Sequence, residues 1–569
     1  MPAVLHDDVS EADLVHIAND SKAAVIFVAQ QPVLDRSVLS QQFLSDRLVQ
    51  NILPQLPHCQ HVVLLPSDSY SDAGALQRLE AEAHALAGKF DSKSVAPGEQ
   101  PRKCGFHSWA KFETAPHEPE DAFVRRTASI LSDSCCCVCY GSSASRTLPV
   151  GSMLSHDNVL WSARVFSENY LRLEAGNAIL LTMPIAFALS QVVYIAASIQ
   201  IGATVFLPSA QSGPYDVKLS SLRDTQPHVL ICTPAQWQSL MAEIEKLPLV
   251  AHASSSSKEM GKNGGRAAAM GQPKPRFYGW NRRRVFSKIW ADTGLARCKF
   301  LGCYGDLCPP QLVDQLMSMG MCLCNVYGCN EASGIIASTL NDPLRPQLPL
   351  ANEWKAGHVG RCIPGCEVQL IMDPQQSGRV TFRGRNTFMG YLNRPTVATA
   401  GGYFDTGDWG SVNNALLDIH GRNSDRFVLA MGGPLFTPDI EAVIQQSLPG
   451  VSRAVLFGHG LPHVSLMCEF HQDTKYGSVS DACIAWQRQK GVNPISVTTH
   501  EALSNQSFLR EVTLALQVIA AVFCFCRCCS RMCVGNAQGR EVQGGAHRQV
   551  PVHQGQVVHA LQWRLSHSV

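Results

Sequence analysis

Residues 378–426 read GRVTFRGRNTFMGYLNRPTVATAGGYFDTGDWGSVNNALLDIHGRNSDR, and the rest of the chain is organised around this stretch. Short β-type runs, RVTF and ALLDI, are separated by Gly, Asn and Asp turn signals. Asp408 stands in the turn Thr-Gly-Asp and Arg422 in the turn Gly-Arg. A carboxylate in the first position can accept from both hydroxyls of a ribose. An arginine about a dozen residues further on can reach back across a hairpin to the same sugar or its phosphate. Taken alone, Thr-Gly-Asp is also an ordinary turn.

Working outward, a chain of 569 residues exceeds what one core organises and implies two or more domains. Apolar residues at 45% and charged residues at 16% describe a folded, globular protein. A formal net charge of +1 excludes the basic excess of an electrostatic nucleic-acid binder. The 22 cysteines include the runs CCCVC at 135–139 and CFCRCC at 524–529, whose adjacent thiols cannot form a regular disulfide framework. The opening residues MPAVLHDDVS carry acids where a secretory leader carries bases, so the reading is a reduced, intracellular protein.

Residues 11–70 read as an α/β unit: a helical pattern, the strand AAVIFVA, a second helix and the strand HVVLL. This fits a parallel, doubly wound sheet. Residues 134–160, SCCCVCYGSSASRTLPVGSMLSHDNVL, read as a strand, a Ser/Thr-rich loop and a helix opening at Ser155–Asn158. Such a loop can cradle phosphates with hydroxyls and backbone N–H groups. NVYGCNEASG at 325–334 combines a tyrosine face able to stack on adenine with Glu331, able to hold Mg²⁺ on ATP phosphates. Residues 252–284 form a Ser/Gly-rich basic insertion, read as a solvated loop. Val512–Cys526 is an apolar run too short for a membrane span. An Arg/Cys cluster follows to Cys533, and residues 534–569 are Gly-, Gln- and His-rich without periodicity.

These motifs, in this order, resemble the adenylate-forming (AMP-binding) superfamily. Its members read Y-T-S-G-T-T-G-x-P-K-G, then Y-G-[MLT]-[ST]-E-x-[ST]-G, then R-G…G-Y…G-W-F-x-T-G-D…G-R. The phrases NDSKAAVIFV and GLARCKF are similar to the bubblegum-type long-chain fatty acid–CoA ligases. The resemblance implies a large α/β N-terminal domain of doubly wound sheets with a small β-barrel part, spanning 1–420 and lacking the family's front segment. A small α+β C-terminal lid over 421–500, hinged at Ser424, and an atypical tail over 501–569 would follow.

By that resemblance, Ser142, Ser143, Ser145 and Thr147 hold phosphate, with Asn330 standing where the family has a phosphate-binding hydroxyl. Tyr327 stacks on adenine, Glu331 binds Mg²⁺ in the catalytic step, Asp408 and Arg422 hold the ribose, and Phe187 lies beside the substrate carboxylate. The implied activity converts a fatty acid, ATP and coenzyme A to acyl-CoA through an acyl-adenylate. The implied location is the cytoplasm, with peripheral membrane contact as an alternative because the acid resides there.

Several positions depart from the family pattern. Ser143 replaces a loop glycine, which costs about 1 kcal/mol wherever the backbone needs a positive φ. Val150 replaces the loop lysine, and Gly305-Asp306-Leu307-Cys308 replaces the small residues of the adenine-facing turn. The lid lysine that reaches the α-phosphate has no counterpart, Lys490 being the last lysine and Lys475, like it, outside any recognisable form of the motif. These departures support an alternative expectation, a catalytically impaired relative that binds nucleotide or acyl ligand.

Overall fold

The computed structural model describes residues 3–4, 10–29, 52–65, 105–108, 112–114, 119–142, 148–207, 217–248, 250, 282–306, 308–319, 321–339, 341–342, 345–349, 358–372, 377–395, 401–428, 434–448, 451–460, 464–470, 472–473, 478–522, 532–536 and 561–565. The chain divides into two compact units, residues 1–406 with 410–419, and residues 407–409 with 420–569.

In the first unit, α1 (Glu11–Asp20) is started by Ser10, whose hydroxyl accepts from the Asp13 amide. Strands β1 (Val25–Ala29), β2 (His61–Leu65) and β3 (Gly105–Ser108) form a parallel sheet. The helix expected between the first two lies outside the described residues. Strands β4 (Cys135–Ser142) and β5 (Pro149–Ser155) pair antiparallel, with Tyr140 opposite Gly151. The next helix, α2 (His156–Phe166), opens at the expected place: Ser155 and Asn158 form a reciprocal capping box.

The parallel part of the main sheet contains β6 (Ala178–Leu180), β7 (Thr204–Phe206), β8 (Val229–Cys232), β9 (Phe300–Tyr304) and β10 (Leu323–Tyr327). The near-continuous apolar sequences of β6, β8, β9 and β10 follow from burial on both faces, whereas β7, at the sheet edge, is largely exposed. Ile179, Val229, Ile231, Phe300, Cys324 and Val326 enter one core, whereas Leu180, Leu230, Cys232, Leu301, Cys303 and Leu323 enter the other. Helix α3 (Pro234–Ile244), capped by Thr233, sends the fully buried Trp237 into the second core, where its Nε1 donates to Gly302 O at 2.8 Å. Helices α4 (Arg282–Thr293) and α5 (Pro310–Ser318) pack residues into the same core.

Beyond β10 the pairing turns antiparallel through β11 (Ala337–Ser338) and β12 (His358–Cys362). The sheet continues with β13 (Cys366–Met372), β14 (Gly378–Gly384), β16 (Phe404–Asn413) and β17 (Leu416–Arg422). Its full order is β13-β14-β16-β17-β12-β11-β10-β9-β8-β6-β7. The short β15 (Gly390–Tyr391) instead joins β5, with Tyr391 opposite Ser152.

The second unit contains β18 (Arg426–Val428), β19 (Pro434–Phe436), α6 (Thr437–Ser447), β20 (Val451–Phe457), β21 (Val464–Phe470), α7 (Asp481–Lys490) and α8 (Gln506–Val522). The apolar run expected to open the tail lies largely in α8, which buries Phe508, Leu509, Val512, Leu516 and Ile519 in a core shared with Ile440, Leu466 and Trp486. Strands β22 (Met532–Asn536) and β23 (Leu561–Leu565) extend its sheet in the order β20-β21-β23-β22. The basic insertion lies outside the described residues except for Arg282–Arg284, which begin α4. The described cysteines are free thiols, many of them buried. Burial pushes Cys366 and Cys468 up to about 12.

Candidate active site

Ligands of open α/β sheets bind outside the carboxyl ends of the parallel strands. At that edge β10 ends in Tyr327, β9 ends in Tyr304, and the loop after β6 carries Phe187. Phe187 is half-buried, with its ring set edgewise 6.4 Å from that of Tyr304.

Past Tyr327 the chain folds sharply back through Gly328–Gly334. A Cβ on Gly328 would lie 2.3 Å from the Gly334 carbonyl oxygen, and one on Gly334 (φ +87°) would lie 2.3 Å from the Leu189 amide nitrogen. Only glycine at both positions lets this turn close against the helical start at Ala188–Ser190. Ser333 Oγ donates to Asn386 O at 2.9 Å, and Asn386 Nδ2 donates to Ile335 O at 2.8 Å. The turn therefore has little freedom to move its polar side chains.

Asn330 is oriented by this packing. Its Oδ1 accepts from the Ala188 amide at 3.0 Å, which places its NH₂ against Gly141, where an added Cβ would stand 2.8 Å from Nδ2. Gly141 and Val150 are partners across the β4–β5 hairpin, one step before Ser142 and Pro149 close its described part. Ser143, Ser145 and Thr147, and the side chain of Ser142, lie outside the described residues. Val150, at the family's lysine position, is buried. Gly305 (φ +98°) and the exposed Asp306 follow β9, in the turn that the resemblance sets against adenine.

Glu331 is half-buried, and its Oε1 accepts from the Tyr391 hydroxyl at 2.8 Å. Burial first, and then the neighbouring Glu331 charge, pushes the Tyr391 phenol well above its ordinary value, so the phenol stays a donor. Its ring packs edgewise on Phe388 and Phe404 at 4.9 and 6.1 Å. Sequence reasoning did not single out Tyr391, although it occupies the G-Y of the family pattern. Nor did it single out Tyr304.

In the second unit, Asp408 and Arg422 are brought together. Asp408 Oδ1 lies 3.1 Å from Arg422 Nη1, the carboxylate buried and the guanidinium exposed. Their strands, β16 and β17, are joined by Asn414 and Ala415, both at positive φ (52° and 62°) as a two-residue hairpin turn requires. Arg426 stacks 4.0 Å over the Trp409 ring. Ser424 is exposed in the turn Asn423–Asp425. Lys490 is exposed at the end of α7, and Lys475 lies outside the described residues.

A family model described as AMP-binding enzyme matches residues 1–392. The chain belongs to the AMP-binding enzyme family. Curated relatives include long-chain-fatty-acid–CoA ligase ACSBG2 of Xenopus laevis, 24% identical over 399 residues that cover 66% of this chain and 52% of the relative. Another, ACSBG1 of Homo sapiens, is 26% identical over 384 residues, covering 63% of this chain and 50% of the relative. This AMP-binding chain thus spans about half the length of the curated relatives it matches. Its fold is that of the A domain of a carboxylic acid reductase from Segniliparus rugosus, solved with AMP and a co-purified carboxylic acid. That match has a TM-score of 0.55 and 14% identity, over 92% of this chain and 71% of the other. The adenylation domain of a carboxylate reductase from Mycobacterium chelonae gives 0.55 and 15%, over 91% and 68%.

Proposed function

We propose that this AMP-binding protein is a long-chain fatty acid–CoA ligase. A carboxylate oxygen of the acid attacks the α-phosphorus of ATP, the bond to the β-phosphate oxygen breaks, and pyrophosphate leaves. The thiol of coenzyme A then attacks the acyl carbon, AMP leaves, and the thiol proton passes to solvent. The observation that carries the reading is the Gly328–Gly334 turn, which holds an amide donor and a carboxylate beside the hairpin of the phosphate loop.

In this proposal the Asn330 NH₂ donates to a phosphate oxygen, together with the hydroxyls of Ser142, Ser143, Ser145 and Thr147. Tyr327 stacks on adenine, and Asp408, held by Arg422, accepts from the ribose. Phe187 lines the acid's approach. Mg²⁺ arrives with ATP as part of the substrate. It needs only one or two protein carboxylates besides the phosphates, and Oε2 of Glu331 fits that need. The long-chain preference rests on the names of the relatives. We place the protein in the cytoplasm with peripheral membrane contact. Among the described residues no helix is long and apolar enough to cross a membrane.

The test is acid-dependent release of pyrophosphate from Mg-ATP by the full chain, with acids from short to palmitate-like. Release that requires the acid and falls at least about 100-fold in Glu331→Gln supports the reading. Nucleotide binding without acid-dependent release would reject it and leave a nucleotide-binding protein.

A further inference from the structure

Glu331 has two carboxylate oxygens in different circumstances. Oε1 is taken by the Tyr391 hydroxyl at 2.8 Å, and Oε2 has no hydrogen-bond partner among the described residues. Tyr391 does not belong to the turn that carries Glu331. It sits in β15, opposite Ser152 of β5, and the flanking amides of Met389 and Leu392 donate to Met153 O and Gly151 O at 2.9 and 2.8 Å. The same β5 begins where the phosphate loop ends. A second contact draws the two segments together, since the Phe388 amide donates to the Glu331 carbonyl at 2.9 Å. The hydroxyl is thus fixed by a strand of the phosphate-loop sheet, and it fixes in turn the rotation of a carboxylate on the opposing turn.

We infer that Tyr391 is a positioning residue for Glu331, holding one carboxylate oxygen so that the other is presented to the Mg²⁺ of the bound nucleotide. The inference rests on the proposed function for the identity of that ligand. A carboxylate free to rotate must be ordered when the metal binds, and an outer partner removes that cost; loss of such partners lowers metal affinity by about 10- to 100-fold. The phenol suits this role because its hydroxyl donates to Oε1 without carrying a charge of its own. A charged partner in its place would compete with the cation for the carboxylate.

The experiment compares wild type, Tyr391→Phe, Glu331→Gln and the double variant as full chains. Calorimetry measures binding of a non-hydrolysable ATP analogue in EDTA and across a Mg²⁺ titration. Phenylalanine keeps the edgewise packing on Phe388 and Phe404, so the fold is retained, and thermal melting checks this. The expected result is unchanged binding in EDTA, a Mg²⁺ requirement raised about 10- to 100-fold in Tyr391→Phe, and recovery at high Mg²⁺. In the Glu331→Gln background the second substitution is expected to add nothing, because Tyr391 acts only through that carboxylate. Equal Mg²⁺ dependence in wild type and Tyr391→Phe, or additive losses in the double variant, would overturn the inference. An analogue that binds with the expected Mg²⁺ dependence, in a chain that releases no pyrophosphate, would reject the ligase reading and leave this inference standing. No binding by wild type in either condition would remove both.

Discussion

Asn330 illustrates how one atom can set the sign of a site. Because its oxygen is bound to the Ala188 amide, the atom facing Gly141 is a donor. Asn330→Asp preserves shape and the bond to Ala188 but replaces that donor with a negative oxygen. We expect ATP affinity to fall by at least about 1.5–3 kcal/mol, the worth of one hydrogen bond to a charged group, with repulsion added. Calorimetric titration measures this, and an unchanged melting temperature confirms that the turn survives. The sequence puts an amide at 330 where the family has a phosphate-binding hydroxyl, but nothing local discloses which way the amide points. That depends on a residue 142 positions away. Tyr391 was illegible for the same reason: its partner lies 60 positions off, and the two-residue strand beneath it has no periodicity to read.

At the scale of elements, α2 begins at the capping box of Ser155 and Asn158, and its first turn also anchors the 385–387 bend. Asn158 Nδ2 donates to the carbonyls of Arg385 and Thr387 at 2.9 and 3.0 Å. Arg385 returns two bonds to Asp157, Nε to Oδ2 at 2.7 Å and Nη2 to Oδ1 at 2.5 Å. The guanidinium holds the Asp157 carboxyl below the usual carboxylate range. Since the folded value is the lower one, the unfolded chain binds the proton first on acidification. The ion pair's contribution is therefore complete above about pH 4 and disappears as pH falls through the folded value. Both partners are partly exposed, so Asp157→Asn should cost about 1 kcal/mol at neutral pH. That deficit should vanish in strong acid, as read from paired melting curves.

The cap was legible because Ser-x-x-Asn is a local signal. So were the strands within AAVIFVA and HVVLL, short continuous apolar runs found as β1 and β2. The bond from Asp157 to Arg385 was not, because it joins elements 228 residues apart.

Over the whole molecule, the two units have separate cores, one set built around the main sheet and the other around α6, α7 and α8. Phe508 is buried to 1% exposure and meets Trp486 edgewise at 5.9 Å. Phe508→Ala should destabilise the second unit by about 3–5 kcal/mol. In a calorimetric scan, the transition of that unit should move down while the one that buries Trp237 stays in place. The sequence pattern of α8 announced an apolar helix without saying what it would cover. An amphipathic run looks the same whether it faces a core or a lipid surface.

The thiols within these cores have a consequence for the life of the molecule. Cys232, Cys303, Cys324 and Cys366 are enclosed in the first unit, and Cys468 and Cys483 in the second. Thiolates are the species that electrophiles and oxidants attack; burial raises Cys232, Cys366, Cys468 and Cys483 away from that form, and the hydrogen bond with Cys308, followed by burial, does the same for Cys303. An intact copy is therefore chemically quiet at these positions, whereas one that has opened can be marked there irreversibly. Adducts at these sites become an accumulating history of past excursions, and the position of each mark names the unit that opened.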